Sequence, residues 1–390
     1  MYRNLWGDRI GHHFFGSSLS SIVNLGMIVR LILSFLVTLG SIALAWTIIN
    51  PPRAQASGII ETPTQAKPWD VALDKYGRVW VAEPGCDAEP NCLTTFPSYI
   101  GEYRGSDTLL NNFLEPSGFS SPTFLVVSNN GAIWFTETTT NAIGRLTHST
   151  PPTWRQWTVP TPNANPYDLV FDNNGNIWFT EYSGNKIGFF NTSTKKFVEN
   201  AIPTPASQPY GITKDPSGKI WFAENTQQKI GSFTPTLSGT VTITEHVINN
   251  PGGPMPHLIT ADSAGNIWYS EGFSGDIGKF VPKTNTHTNI NVSRNVCPTP
   301  TPGVTPTPCP STHISGIAVD GTGRIWFDDS LTARVGVYNP ISGIVRTLTL
   351  SNPNAHPHNG LAVDSKGNTW FAEVFGGPTG MLGKIPVGTL

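Results

Sequence analysis

From residue 58 onward the chain alternates short apolar-polar runs with turn residues, and the runs come in closely joined pairs. In one pair, Tyr167-Asp168-Leu169-Val170-Phe171 and Ile177-Trp178-Phe179-Thr180 have the period of half-buried strands. Between them, Asp172-Asn173-Asn174-Gly175 has the residues a tight turn needs: an aspartate to bond the backbone ahead of it and a glycine free to take positive φ. The pattern recurs at Trp80, Trp134, Trp178, Trp221, Trp268, Trp326 and Trp370, at intervals of 43 to 58 residues. A glycine precedes each tryptophan by three positions, and an apolar-Gly pair such as Ile187-Gly188 or Ile230-Gly231 follows. Third and fourth strands are predicted at Lys186–Phe190 and Phe197–Ile202, and after residue 57 no stretch carries a helical period.

Four antiparallel strands repeated every 40 to 45 residues or so describe a propeller blade. Seven tryptophans therefore predict an all-β, seven-bladed β-propeller over residues 57–390. The segment Ile59-Ile60-Glu61-Thr62-Pro63-Thr64 resembles the outer-strand ends of later repeats, whereas the chain stops soon after a third-strand element at Met381–Ile385. The N-terminal strand is thus expected to complete the last blade and leave no free edge. Residues 1–56 stand apart. An apolar run at 31–49 follows Arg3, Arg9 and Arg30 and precedes Ala54-Gln55-Ala56, the pattern of an apolar helix in a signal peptide or a membrane anchor. Either form leaves the ring exported, secreted or held on the outer side of the cytoplasmic membrane, with membrane contact only through this segment.

Charge narrows the partners. Charged residues make up 13% of the chain, the net charge is −2, and no basic stripe runs along it, which argues against nucleic acid. Nothing in the pattern specifies self-association, so a monomer is expected. The four cysteines form two local pairs, Cys86/Cys92 and Cys297/Cys309, each within one of the two longest intervals. In an exported chain these read as disulfides stapling insertions; the absence of CxxC spacing weakens a metal reading.

Two columns could carry chemistry. Three residues after each tryptophan is a carboxylate: Glu83, Glu137, Glu181, Glu224, Glu271, Asp329 and Glu373. Eleven before is a variable position: Trp69, Thr123, Tyr167, Tyr210, His257, Ser315 and Asn359. Hairpin geometry puts both columns at the same end of the ring. A carboxylate in every blade suits a job every blade has, such as accepting N–H bonds from its neighbour; differing side chains suit a binding surface. The aromatics Trp69, Tyr167 and Tyr210 fit either ligand contact or rim packing. His257, with Glu271 as its hairpin partner, suits a general base whose imidazole the carboxylate orients and keeps protonated, or else a surface histidine. His313, His358 and His356 lie near the same mouth in the next two blades, a grouping able to approach a divalent cation. His148, His246 and His287 fall outside these columns and are expected to face solvent.

The repeated Gly-Asn-Ile-Trp-Phe-Thr-Glu (175–181), Gly-Lys-Ile-Trp-Phe-Ala-Glu (218–224) and Lys-Ile-Gly motifs resemble those of the virginiamycin B lyase (streptogramin lyase) family, over nearly all of residues 58–390. The resemblance implies a seven-bladed carbon–oxygen lyase that opens a cyclic depsipeptide ester by β-elimination, with a histidine base and Mg²⁺. By that resemblance the base maps onto His257 and a metal-binding carboxylate onto Glu271, while Tyr210, Tyr167, Trp69, His313 and His358 are left to contact substrate. Two positions depart from the family pattern: the first glutamate of its Glu-x-His segment is Met255, and a further histidine is Tyr210. A thioether is a poor ligand for a hard cation. The alternative expectation is a non-catalytic propeller that binds a peptide, glycan or small molecule at its polar mouth. A gluconolactonase-like hydrolase fits less well, since it would have six repeats rather than seven.

Overall fold

In six of the seven blades an aspartate closes the first hairpin. Asp172 Oδ1 accepts the N–H of Asn174 and Asn176 at 2.8 and 2.9 Å, and its Oδ2 accepts Trp178 Nε1 at 3.2 Å. Gly175 completes the turn at φ 76°. The turn thus fixes the first two strands of its blade, Pro166–Phe171 and Ile177–Glu181; Lys186–Phe190 and Phe197–Ala201 add outward in antiparallel order. In blades two, three, four, six and seven the third-strand glycine lets the phenylalanine after the tryptophan lie flat across it: a Cβ on Gly188 would sit 2.1 Å from the Phe179 ring.

This structure, a computed structural model, describes residues 58–85, 97–248, 255–293, 311–375 and 379–390. They form seven four-stranded antiparallel sheets. Blades one to six run in chain order from Asp70, and in the seventh Ile60–Pro63 pairs antiparallel with Met381–Ile385. That is the expected ring closure. First strands of neighbouring blades contact one another around the whole ring. The core lies between blades: Trp178 packs against Phe189 of its own sheet and Phe233 of the next, with ring centroids 4.9 and 4.7 Å apart. Among the described residues the only helical element is a short 3-10 turn, Ser330–Thr332, and none is long and apolar enough to cross a membrane. The apolar run at 31–49 and all four cysteines, Cys86, Cys92, Cys297 and Cys309, lie outside the described residues.

Candidate functional site at the channel mouth

The register breaks where the variable column begins. In blades two, three, four, six and seven the residue opposite the carboxylate is Pro122, Pro166, Pro209, Ile314 or Pro357, and a bulge follows it directly. The extra residue leaves the ladder and turns its side chain toward the channel. In blade seven the bulge holds one residue more, between Pro357 and Leu361. His358 thereby takes up the ring position that a fixed spacing assigns to Asn359.

Side chains on or just ahead of the first strands meet from blade to blade. Trp69 lies edge-on to His358 (ring centroids 5.2 Å apart), His358 stacks on His313 (5.3 Å), and His313 meets His257 edge-on (4.9 Å). His257 then contacts Tyr210 (4.8 Å), Tyr210 contacts Tyr167 (4.2 Å), and Tyr167 contacts Phe124 (5.0 Å). The Tyr167 and Tyr210 hydroxyls are hydrogen-bonded at 2.6 Å. Every blade supplies one member, so the substrate-contact candidates Trp69, Tyr167, Tyr210, His313 and His358 and the base candidate His257 form one chain of contacts. His356 stacks on His358 at 5.5 Å.

His257 is buried at 7% exposure, and its backbone N–H bonds Ser270 O at 2.9 Å. Its imidazole bonds the Ile314 backbone through one nitrogen, while Nδ1 has no protein partner. Nδ1 therefore keeps its lone pair in the neutral ring. Gly272, at φ 47°, covers it: a Cβ there would lie 3.3 Å from Nδ1. Burial, and then the His313 imidazole, hold His257 down at about 3. His313 is held at about 4, chiefly by burial and then His356, and His358 falls well below the usual histidine range.

The expectation that Glu271 keeps His257 protonated is corrected here. The titratable neighbour acting on His257 is His313, a like charge when protonated, and desolvation outweighs everything else. Glu271 is 1% exposed, accepts from Ser274 Oγ at 3.4 Å, and raises the neighbouring Tyr269 hydroxyl after burial has done so. The other carboxylates of its column behave alike. None is more than 1% exposed, and Glu83 Oε1 points at the third strand, 2.5 Å from where a Gly101 Cβ would be. Several receive bonds from the segment that enters their blade: Gln65 and Ala66 N–H on Glu83, Ser207 Oγ on Glu224, His313 N–H on Asp329. This column ties blades together and does not line the mouth.

The donor set does not fit a hard divalent cation. Among the described residues no three His, Cys, Asp or Glu side chains are grouped to hold a metal. Mg²⁺ favours oxygen ligands in near-octahedral array.

The fixed spacing missed Phe124, Phe273 and Phe375. Phe273 is 64% exposed and lies 4.5 Å from the His313 ring; Phe375 stands edge-on to His356 with Lys67 Nζ 4.3 Å above its ring. Both follow their tryptophan by five residues, a column that carries no other aromatic residue, and only the folded ring brings them over the mouth.

A model of the virginiamycin B lyase family matches residues 119–386. Selenomethionine-substituted virginiamycin B lyase from Staphylococcus aureus superimposes with a TM-score of 0.67 at 26% identity, covering 84% of this chain and 97% of that one. A catalytically inactive histidine-to-alanine variant of virginiamycin B lyase from the same organism, with quinupristin, gives a TM-score of 0.68 at 25% identity over 84% and 98%. A streptogramin B lyase structure shares the fold at 24% identity, with a TM-score of 0.68 over 84% and 96%. No curated protein matches the chain.

Proposed function

Because the chain belongs to the virginiamycin B lyase family, we propose that it is a carbon–oxygen lyase opening the ester of a cyclic depsipeptide by β-elimination, with His257 as base. One observation carries the reading: at the mouth, His257 is neutral and has a ring nitrogen with no protein partner. A neutral imidazole is the form a general base must have before it acts. His257 takes the proton from the carbon alpha to the substrate carbonyl. The electron pair left behind forms a carbon–carbon double bond, the β carbon–oxygen bond breaks, and the ester oxygen departs as carboxylate. The product is an isomer of the substrate.

Tyr210 and His313 flank His257 on its two sides and would press on a substrate ring held there. Trp69, Tyr167 and His358 extend that surface around the mouth. Glu271 supports its strand end. No step is assigned to Mg²⁺, since the donor set does not suit it. The ring is placed outside the cytoplasm on the strength of the apolar run at 31–49 and Ala54-Gln55-Ala56.

Incubating the purified protein with quinupristin or another streptogramin B depsipeptide, followed by mass spectrometry and chromatography, tests this. A ring-opened product of unchanged mass, absent with His257→Ala, is expected; a gain of one water would mean hydrolysis and overturn it. Met255 and the absence of a grouped metal site among the described residues favour a second reading, a propeller that binds such a ligand without turning it over. Binding without any product would select that reading.

A further inference from the structure

The face opposite the mouth carries the hairpin turns, and there one blade breaks the repeat. Six of the seven repeat tryptophans donate Nε1–H to their turn aspartate, at 2.9 to 3.4 Å. Blade two has Ser128 in place of that aspartate. Its hydroxyl still accepts the Ala132 N–H at 3.0 Å, so the turn closes, but no described residue accepts from Trp134 Nε1.

Cations have gathered where the carboxylate is missing. Arg145 pairs across the sheet with Trp134 on one side and Arg155 on the other. Its guanidinium carbon lies 5.4 Å from the centroid of the Trp134 ring, and its Nε is buried without a partner. Lys195 reaches over from blade three, 5.5 Å from the Trp134 ring and 5.2 Å from Trp157. Burial and the Arg145 charge hold Lys195 below the usual lysine range. Lys214, from blade four, bonds Asn173 Oδ1 at 3.0 Å. Among the described residues none of these four cations has an ion-pair partner within 4.0 Å. Cations also stand over Trp80, Trp221, Trp268, Trp326 and Trp370, yet each of those tryptophans keeps its aspartate. Blade two alone subtracts the negative charge.

These side chains wall a cavity of about 610 Å³, a size that suits a small ligand. Its one lining carboxylate, Asp172, is spent on Asn174, Asn176 and Trp178. We propose that this cavity is a second ligand site, remote from the mouth, taking a small oxyanion with two or more negative charges, a phosphate ester or a polycarboxylate. Arg145, Lys195 and Lys214 neutralise the charge, and Trp134 Nε1–H supplies a hydrogen bond that in every other blade goes to aspartate.

The full chain is titrated calorimetrically at low salt with pyrophosphate and, separately, with citrate. Saturable binding of either is expected, the tighter ligand showing which oxyanion class the site takes. Ser128→Asp restores the consensus turn and returns a carboxylate to Trp134; it should weaken binding roughly tenfold or more while leaving thermal stability equal or higher. Arg145→Gln should weaken binding without adding a negative charge. No saturable binding of either ligand, or binding that Ser128→Asp leaves unchanged, overturns the proposal.

Discussion

From blade two to blade four the ring of side chains at the mouth is phenyl and phenol: Phe124, Tyr167 and Tyr210. From blade five to blade seven it is imidazole: His257, His313 and His358, with His356 behind. The ring members of both arcs are buried, all stand on or just ahead of a first strand, and neighbours within each arc lie 4.2 to 5.5 Å apart. Their electrostatics differ. The aromatic arc holds no charge at any ordinary pH, whereas each added proton in the imidazole arc faces both desolvation and a like charge. One scaffold thus makes an inert wall and a proton-accepting wall, and His257 stands at the seam, with Tyr210 on one side and His313 on the other.

The sharpest break comes from removing the seam residue. If His257 is the base, His257→Ala lowers turnover of a streptogramin B depsipeptide by roughly 10² to 10⁴-fold, read from initial rates at neutral pH. Removing an aromatic from the other arc should leave kcat within a few-fold and act on KM.

Acid separates the arcs next. Histidines held at about 3 and 4 in the fold, against an ordinary value of 6.5, bind fewer protons folded than unfolded. Their contribution is fully present above pH 6.5 and is lost as pH falls toward 4. For His257 alone the loss is roughly 3 kcal/mol by pH 4. The buried carboxyls Glu137 and Glu181, raised to about 8 by burial, have the opposite sign: they weaken the fold as pH rises from 4.5 to 8. Raw stability therefore mixes the two. The difference between wild type and His257→Phe, measured by denaturant unfolding from pH 7 to 4, isolates the imidazole, and the wild type should lose ground steadily.

A smaller effect tests how His257 is covered. Gly272 sits at φ 47°, and a Cβ there would lie 3.2 Å from the imidazole. Gly272→Ala should cost about 1–2 kcal/mol from left-handed strain and the tight contact. It should also shift the His257 ring resonances, leaving those of Tyr167 in place.

The architecture was legible because it is written seven times: tryptophan, turn and Gly columns each report one backbone requirement, and the closing strand at Ile60–Pro63 repeats a recognisable ending. The columns at the mouth were legible only to within two residues. A bulge of variable length separates sequence offset from ring position, which is why His358 rather than Asn359 completes the circle. The charge state of His257 was not legible at all. Hairpin pairing suggested a carboxylate beside it, but Glu271 accepts from Ser274 Oγ in the following turn, and the titratable neighbour acting on His257 arrives from the next blade. Ser128 was not singled out from the sequence, and its meaning waited for Lys195 and Lys214 to arrive from two other blades.

The mildest test falls on the aromatic arc. The Tyr167 and Tyr210 hydroxyls share a 2.6 Å hydrogen bond between rings 4.2 Å apart. Tyr210→Phe removes one hydroxyl and keeps the ring, so the Tyr167 hydroxyl loses a buried partner at a cost of about 1 kcal/mol. A phenol ordinarily loses its proton only near pH 10, so the variant's stability should run parallel to wild type between pH 4 and 7, offset by a constant. His257→Phe, one blade further on, should instead give a line of different slope. Two phenylalanines placed in contacting positions, one shifting the curve and the other tilting it, would locate the boundary between the arcs at the Tyr210–His257 contact; two parallel lines would mean that His257 binds protons alike in the folded and unfolded chain, and the division would have no physical content.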